Sequence, residues 1–275
     1  MQFLLECIGF GPNHDLDDLQ RRLQREGLAV RGRSGEGDHR RLLLSHGLEV
    51  WLDPGRDARA DAPAIEPMLW PGVAPGRPSA FQVHGLEAPH GAPFSSVVRA
   101  SLAERRSSAE RDGEGTRRLD GGPVIGWSFA LVDDGPPPQI GDALELALTG
   151  FALDVTAVLP APPGGRARLD GARGWVTPQF SGPELPGCIE VALPIEAVQV
   201  LHNPLTEEPV ERVVTTTAEG VRLELFTSRW QREEDGLAPL EPGGWIAGTF
   251  LAVGRRAEGY PYPRRAVSRR RPARL

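Results

Sequence analysis

The sequence predicts an α+β fold dominated by antiparallel strands, with a helix-containing N-terminal lobe and a small C-terminal barrel or sandwich. Residues 15–26 have the apolar periodicity of an amphipathic helix. Most other apolar runs are short or alternate with polar residues, as strands do. Turn residues separate these runs: the 275-residue chain has 33 glycines and 27 prolines, well above the usual combined share of roughly 12%.

The N-terminal lobe is predicted to open with a strand and a helix. Residues 2–10 are almost wholly apolar, which favours a strand. Leu16, Leu19 and Leu23 then recur at helical spacing, with acidic residues early and arginines late, which suits the helix dipole. Gly27 is predicted to end this helix.

A hairpin and a proline-rich segment are predicted to follow. The hairpin joins residues 41–44 to residues 48–52. Residues 54–78 contain six prolines, which predicts an irregular segment that wraps the surface or acts as a linker. Within it, the apolar residues 68–70 are expected to attach the segment to the core.

The middle of the chain provides the predicted domain boundary. Residues 79–86 are predicted to form a strand and residues 95–105 a short helix. Residues 104–122 are charged and lack apolar periodicity, which predicts a mobile loop. The predicted units are therefore an N-terminal α+β lobe at 1–110, a mobile linker loop at 111–122, a β-rich lobe at 123–254 and a disordered Arg-rich tail at 255–275.

The β-rich lobe has the clearest strand patterns. Alternation over residues 143–155 predicts a strand that is bent or bulged at Gly150, or a tight hairpin there. Residues 210–217 and 221–226 predict a second hairpin. Residues 245–253 are apolar on both faces, which predicts a central strand.

Charge is distributed unevenly along the chain. All 31 basic residues are arginines, and the formal net charge is −6. Eight arginines and one glutamate lie in residues 255–275, so this tail carries +7 and residues 1–254 carry −13. Such a tail is typical of an arm that binds nucleic acid or another anionic surface. The alternatives are a terminus that only adds solubility and a tail that folds back on the acidic body.

Composition excludes several classes of protein. With no lysine, the chain is not a Walker A nucleotide-binding protein, a protein kinase, a pyridoxal phosphate enzyme or a Schiff-base aldolase. Cys7 and Cys188 lie in apolar runs and are predicted to be buried, inert thiols. Residues 1–6 lack the features of a secretory signal, and no apolar run is long enough for a membrane span, so a cytoplasmic protein is expected.

Two groups of side chains are candidate chemical sites. His84, Glu87 and His90 are three metal-ligand types at i, i+3 and i+6, but Gly85 and Pro89 argue against a helix that would align them. A solvated loop with incidental histidines is the simpler interpretation. Asp133-Asp134 offers paired carboxylates, although aspartates also favour turns. The sequence indicates no cofactor.

Three motifs resemble those of an uncharacterised bacterial domain family. Residues 1–4 and 8–10 resemble its opening "FLRAIGF" strand, residues 203–209 are similar to its "N-x-LTGE" turn, and residues 244–255 to its closing "G-x-x-x-x-G-x-x-W-L-x-G-R" strand. Glu207 stands where the family prefers glycine. The resemblance covers about the first thirty and the last seventy residues, and it implies a shape but no chemistry.

The sequence therefore favours a non-catalytic, cytoplasmic binding or adaptor protein that recognises another macromolecule. The alternatives are a metal-dependent or acid/base hydrolase that uses the His84–Glu87–His90 loop, and a nucleic-acid-associated protein that acts through the tail. The partner expected is an unidentified protein. The candidate interaction residues are Trp175, Trp230, Tyr260, Tyr262, Arg264, Arg265, Arg269, Arg270 and Arg271.

Overall fold

The computed structural model describes residues 3–31, 38–53, 68–74, 76–87, 96–103, 126–132, 138–161, 175–178 and 187–256. The helices in these ranges are α1 (Phe3–Glu6), α2 (Leu16–Glu26) and α3 (Arg229–Glu234). The strands in these ranges are β1 (Leu28–Arg31), β2 (Asp38–Leu43), β3 (Leu48–Asp53), β4 (Met68–Val73), β5 (Ser79–Glu87), β6 (Ser96–Leu102), β7 (Trp127–Leu131), β8 (Ala143–Leu159), β9 (Trp175–Pro178), β10 (Cys188–Pro194), β11 (Ala197–His202), β12 (Pro209–Thr216), β13 (Arg222–Thr227) and β14 (Trp245–Arg256).

Helix α2 confirms the prediction for residues 15–26. The side chain of Asp15 accepts a hydrogen bond from the backbone N–H of Asp18, which caps the start of the helix. Leu19 and Leu23 are buried, as their spacing predicts. The helix ends at Gly27, where an added Cβ would lie 2.4 Å from the carbonyl oxygen of Leu23.

Strands β1 to β4 form a four-stranded antiparallel sheet in sequence order. Its β2–β3 pair is the hairpin predicted from residues 41–44 and 48–52. The prediction of an irregular segment was wrong for Met68–Val73, which forms the edge strand β4. Proline is accepted there because Pro71 lies on an edge strand, where the missing N–H need not pair with a further strand. Trp70 is buried, so the predicted attachment to the core is confirmed.

Five strands of the larger sheet close into a ring. Strand β8 pairs with β5, β5 with β6, β6 with β7, β7 with β14, and β14 pairs again with β8. The β8–β14 pairing runs from Leu159–Trp245 to Leu146–Arg256. These two long strands therefore organise the sheet, which confirms the predicted central position of residues 245–253.

The remaining strands extend the ring on two sides. Strands β13, β12 and β11 continue from β8, with β13 parallel to β8 and the other pairs antiparallel. The β12–β13 pair is the hairpin predicted from residues 210–217 and 221–226. Strands β10 and β9 continue from β14. The described chain is thus mostly β, with antiparallel and mixed pairing.

The predicted boundary between lobes involves residues outside the described ranges. Strands β5 and β6 precede the predicted linker at 111–122, and they pair with β8 and β7, which follow it. Residues 104–125 lie outside the described residues, so the mobile loop and the unit boundaries stay predictions.

Aromatic side chains fill the core. Phe81 packs edge-on against Trp127 and Phe129, with ring centroids 5.9 and 5.6 Å apart. Phe151 and Phe226 pack together across the β8–β13 pair. The same apolar cluster includes side chains of α1 and α2, so the helices cover the sheets rather than form a separate core.

The prediction of a strand over residues 2–10 was wrong. Residues Phe3–Glu6 form the short helix α1, followed by turns, and Leu4, Leu5 and Ile8 are fully or almost fully buried. An apolar run that is surrounded by protein has no polar face, so its pattern does not distinguish a strand from a helix.

Two further predictions need correction. Residues 95–105 do not form a short helix, because Ser96–Leu102 is strand β6, paired on both sides by β5 and β7. The tight hairpin at Gly150 is also wrong, since β8 continues through it. An added Cβ at Gly150 would lie 2.7 Å from Leu225, so close packing explains the glycine. The register irregularities of β8 against β14 lie further along, near Asp154.

None of the three helices in the described ranges has the length and apolar character needed to cross a membrane.

Candidate binding groove

A groove of about 630 Å³ lies between three segments that are distant in the chain. One wall is α1 and the turn after it, a second is the turn that joins β11 to β12, and the third is the start of α3. The charged and aromatic side chains that line it are Glu6, His14, Glu208, Arg229, Trp230 and Glu233.

Hydrogen bonds from the β11–β12 turn hold the first wall in place. The Nδ2 of Asn203 donates to the carbonyl oxygen of Ile8 at 2.8 Å, and the Oγ1 of Thr206 donates to that of Gly9 at 2.6 Å. Asn203 is completely buried, and its Oδ1 accepts from the N–H of Leu205 at 2.9 Å. These contacts join the segment after α1 to the β11–β12 turn.

Gly9 and Glu207 have left-handed backbone conformations at this junction. Gly9 has φ +85°, and an added Cβ would meet the Cβ of Asn203 at 3.0 Å, so glycine allows the two segments to approach. Glu207 has φ +63°, which is unfavourable for a residue with a side chain.

A buried ion pair fixes the third wall. Arg232 on α3 is 5% exposed, and its Nε and Nη2 donate to the two carboxylate oxygens of Glu211 on β12 at 3.0 and 2.9 Å. Its Nη1 also donates to the carbonyl oxygen of Ala238 at 3.2 Å. The side chain of Ser228 caps the helix by accepting from the N–H of Gln231. Helix α3 is therefore anchored on one face.

The opposite side of α3 presents Trp230 to solvent. This side chain is 52% exposed, although indole is among the most apolar groups in proteins, and it lines the groove. It is the largest of the exposed apolar side chains in the described ranges. An exposed tryptophan on an anchored helix has the properties of an interface anchor.

The groove has an excess of negative charge. Its described lining holds three carboxylates, of Glu6, Glu208 and Glu233, and one guanidinium, of Arg229. Arg229 donates to Glu233 at 2.6 Å, and this hydrogen bond lowers the pKa of the Glu233 carboxyl. Burial raises the pKa of Glu6, and the nearby charge of Glu234 raises it further, whereas a hydrogen bond from Ser228 opposes both effects. A cation near Glu6 would relieve this repulsion.

The structure describes only two of the predicted interaction residues. Trp230 is exposed, as its polar surroundings in the sequence indicate. Trp175 begins β9, where its backbone pairs with that of Ala192. The predicted residues that lie outside the described ranges are Tyr260, Tyr262, Arg264, Arg265, Arg269, Arg270 and Arg271.

The predicted metal ligands have other partners where they are described. A bulge in β5 turns His84 and Glu87 toward the same face of β6. His84 shares a hydrogen bond with the hydroxyl of Ser101 at 2.6 Å, and Glu87 pairs with Arg99. In the described ranges no three His, Cys, Asp or Glu side chains cluster as a metal site. His90, Asp133 and Asp134 lie outside those ranges, so the metal and acid/base hypotheses stay predictions.

Both thiols are buried, as predicted. Burial raises the pKa of Cys7 to about 12 and that of Cys188 to about 11. The Sγ of Cys7 donates to the carbonyl oxygen of Ala152 at 3.4 Å. Neither group is a nucleophile at neutral pH, because the thiolate is the reactive form.

Sequence reasoning missed Glu6, Glu208 and the groove itself. The walls come from residues near positions 10, 205 and 230, and nothing in the local pattern indicates that they meet. One signal was available. Asn203 is one of only two asparagines in the chain, and it lies in a turn motif that resembles a family pattern.

Comparison of the chain with models of protein families, with curated proteins and with solved structures found no match to any of them.

Proposed function

We propose that this chain is a non-catalytic, cytoplasmic binding protein that recognises a basic segment of a partner protein in the groove between α1, the β11–β12 turn and α3. The observation that carries the proposal is Trp230, half exposed on an anchored helix beside an excess of carboxylates. An arginine or lysine of the partner would stack on the indole and pair with Glu6 or Glu208.

The electrostatics favour a basic protein segment over a nucleic acid at this site. A phosphate group brought into the groove would meet three carboxylates and one guanidinium that is already paired with Glu233. The surrounding body is acidic as well, so a polyanion would be repelled at long range.

The resemblance to an uncharacterised bacterial family forms part of the proposal. Two of its motifs meet in this structure, since Asn203 and Thr206 of the turn bond to Ile8 and Gly9 of the opening segment. The two motifs, although far apart in the sequence, would then occur in the same protein because together they form one wall of the groove.

Co-purification from native cells tests this function. Full-length wild type is compared with Trp230→Ala and with Val200→Ala, a matched control whose side chain is 54% exposed but does not line the groove. We expect a stoichiometric protein partner with wild type and the control, at least a tenfold loss with Trp230→Ala, and weaker capture at high salt. Recovery of the same partners by Trp230→Ala, or of none by wild type, would contradict the proposal.

A further inference from the structure

The segment that follows β14 has a net positive charge, whereas the groove has a net negative charge. Residues 257–275 contain six arginines and one glutamate, a net charge of +5, whereas residues 1–256 carry −11. Tyrosines at 260 and 262 add aromatic groups next to those charges. A guanidinium binds well to tryptophan faces and to carboxylates, and the lining of the groove contains both kinds of group.

We propose that the Arg-rich segment 257–275 of the same chain occupies this groove in the free protein, and that the basic segment of the partner displaces it. The inference rests on the proposed function and adds its regulation: the tail is an internal competitor that sets the apparent affinity for the partner.

The end of β14 lies close enough for this contact. The Nη1 of Arg255 donates to the carbonyl oxygen of Val73 at 2.9 Å, which places the end of β14 beside β4. Helix α1, which carries Glu6, also packs against β4. Strand β4 has six residues and is therefore about 20 Å long, whereas nineteen residues reach roughly 60 Å when extended.

Tethering makes the internal ligand effective even if its intrinsic affinity is modest. A ligand on a short flexible connection has an effective concentration on the order of 1 mM. An isolated peptide with a Kd of about 50 μM for the open groove would then bind the tethered protein roughly twentyfold more weakly. The competition is therefore measurable without knowledge of the natural partner.

The test uses the full chain and a labelled synthetic peptide with the sequence of residues 257–275. Wild type is compared with a tail-neutralised variant in which the arginines at 264, 265, 269, 270, 271 and 274 are all replaced by glutamine. Fluorescence anisotropy measures binding, and melting temperatures check that each variant folds. Trp230→Ala and Val200→Ala are also introduced into the tail-neutralised chain.

We expect the peptide to bind the tail-neutralised chain at least tenfold more tightly than wild type. Trp230→Ala should remove that binding, and Val200→Ala should preserve it. Equal affinity for wild type and the tail-neutralised chain would overturn the inference, and so would binding that is insensitive to Trp230→Ala. Binding of duplex DNA is a further control. If wild type binds DNA tightly, and this binding is lost on tail neutralisation but unaffected by Trp230→Ala, the inference is overturned and the tail is an arm that binds nucleic acid.

The outcome is separable from that of the proposed function. If partner capture depends on Trp230 but the peptide binds neither chain, only the tail inference fails. If the peptide binds through Trp230 but partner capture does not depend on this residue, only the proposed function fails.

Discussion

Arg255 and Glu49 are 206 residues apart in the chain and form a buried ion pair, with Nη1 donating to Oε2 at 2.7 Å. The pair joins the last strand of the ring to the four-stranded sheet. The indole of Trp51 contacts both members of the pair. Its Nε1 donates to the same carboxylate oxygen of Glu49 at 2.9 Å, and the guanidinium carbon of Arg255 lies 5.3 Å from the centroid of its ring. The two sheets are therefore held together by a charged contact as well as by apolar packing.

Loss of this ion pair should destabilise the protein strongly. Arg255→Met removes the guanidinium that donates to the fully buried carboxylate of Glu49, so we expect the free energy of unfolding to fall by about 3–5 kcal/mol. Urea unfolding measures the change. Arg22→Ala breaks the exposed pair with Glu26 and is the matched control, with an expected loss of about 0.5 kcal/mol or less. Equal losses for the two variants would contradict the structural role of Arg255.

Asn203→Ala should loosen the first wall of the groove. It removes the donor to Ile8 and the acceptor for Leu205 at a completely buried position, so we expect a loss of about 1–3 kcal/mol. Hydrogen exchange should also become faster in the segment after α1, between residues 9 and 14. If the exchange rates of Asn203→Ala in that segment equal those of wild type, contacts other than those of Asn203 hold the first wall in place.

Glu207→Gly should stabilise the protein. At φ +63° a side chain is strained and glycine is not, so we expect a gain of about 1 kcal/mol, reduced by the greater backbone freedom of glycine in the unfolded chain. Glu208→Gly is the control, because Glu208 is not among the residues with positive φ and should lose stability when replaced. Thermal unfolding of both variants tests the prediction. A melting temperature for Glu207→Gly below that of wild type would show that the backbone at Glu207 is not strained.

Glu6 should give stability a specific pH dependence. Its carboxyl has a raised pKa in the folded state, so the folded protein holds this proton more tightly than the unfolded chain does. The resulting stabilisation is present below the unfolded pKa and is lost as the pH rises through the folded pKa. Glu6→Gln should therefore be more stable than wild type at pH 7, and the difference should shrink as the pH falls through the folded pKa and disappear below the unfolded pKa of about 4.5. Melting temperatures of both proteins at pH 7 and pH 4 test this prediction. It is contradicted if the stability difference between Glu6→Gln and wild type is larger at pH 4 than at pH 7.

Native protein should resist thiol reagents. With pKa values of about 12 for Cys7 and about 11 for Cys188, very little thiolate exists at pH 8, and both side chains are buried. We expect no rapid modification by a disulfide reagent in buffer and two modified thiols in concentrated denaturant, measured by absorbance. Fast reaction of one thiol in the native protein would indicate an open site near it.

Predictions from the sequence succeeded where the structure depends on local pattern. Helix α2 has both an apolar stripe and a capping aspartate, and the β12–β13 hairpin has alternating residues on either side of a glycine turn. They failed at α1 and β6, where burial on all sides or pairing on both edges overrides the local signal. The groove was not predictable because Glu6, Glu208 and Trp230 become neighbours only after the ring and its extensions assemble. Of the groove residues, only Trp230 was predicted as an interaction residue, because its indole lies in a polar stretch of the sequence.

The closed ring also sets a constraint on biosynthesis. Strand β8 obtains its longest partner only when β14, residues Trp245–Arg256, has been made. At typical synthesis rates of about 5–20 residues per second, the 97 residues from the end of β8 to the end of β14 take roughly 5–20 s to appear. For that time the backbone edge of β8 that pairs with β14 has no partner in the nascent chain, and it must be kept from pairing with other strands. Cells that synthesise this protein quickly and in quantity would therefore need chaperones that act on the growing chain.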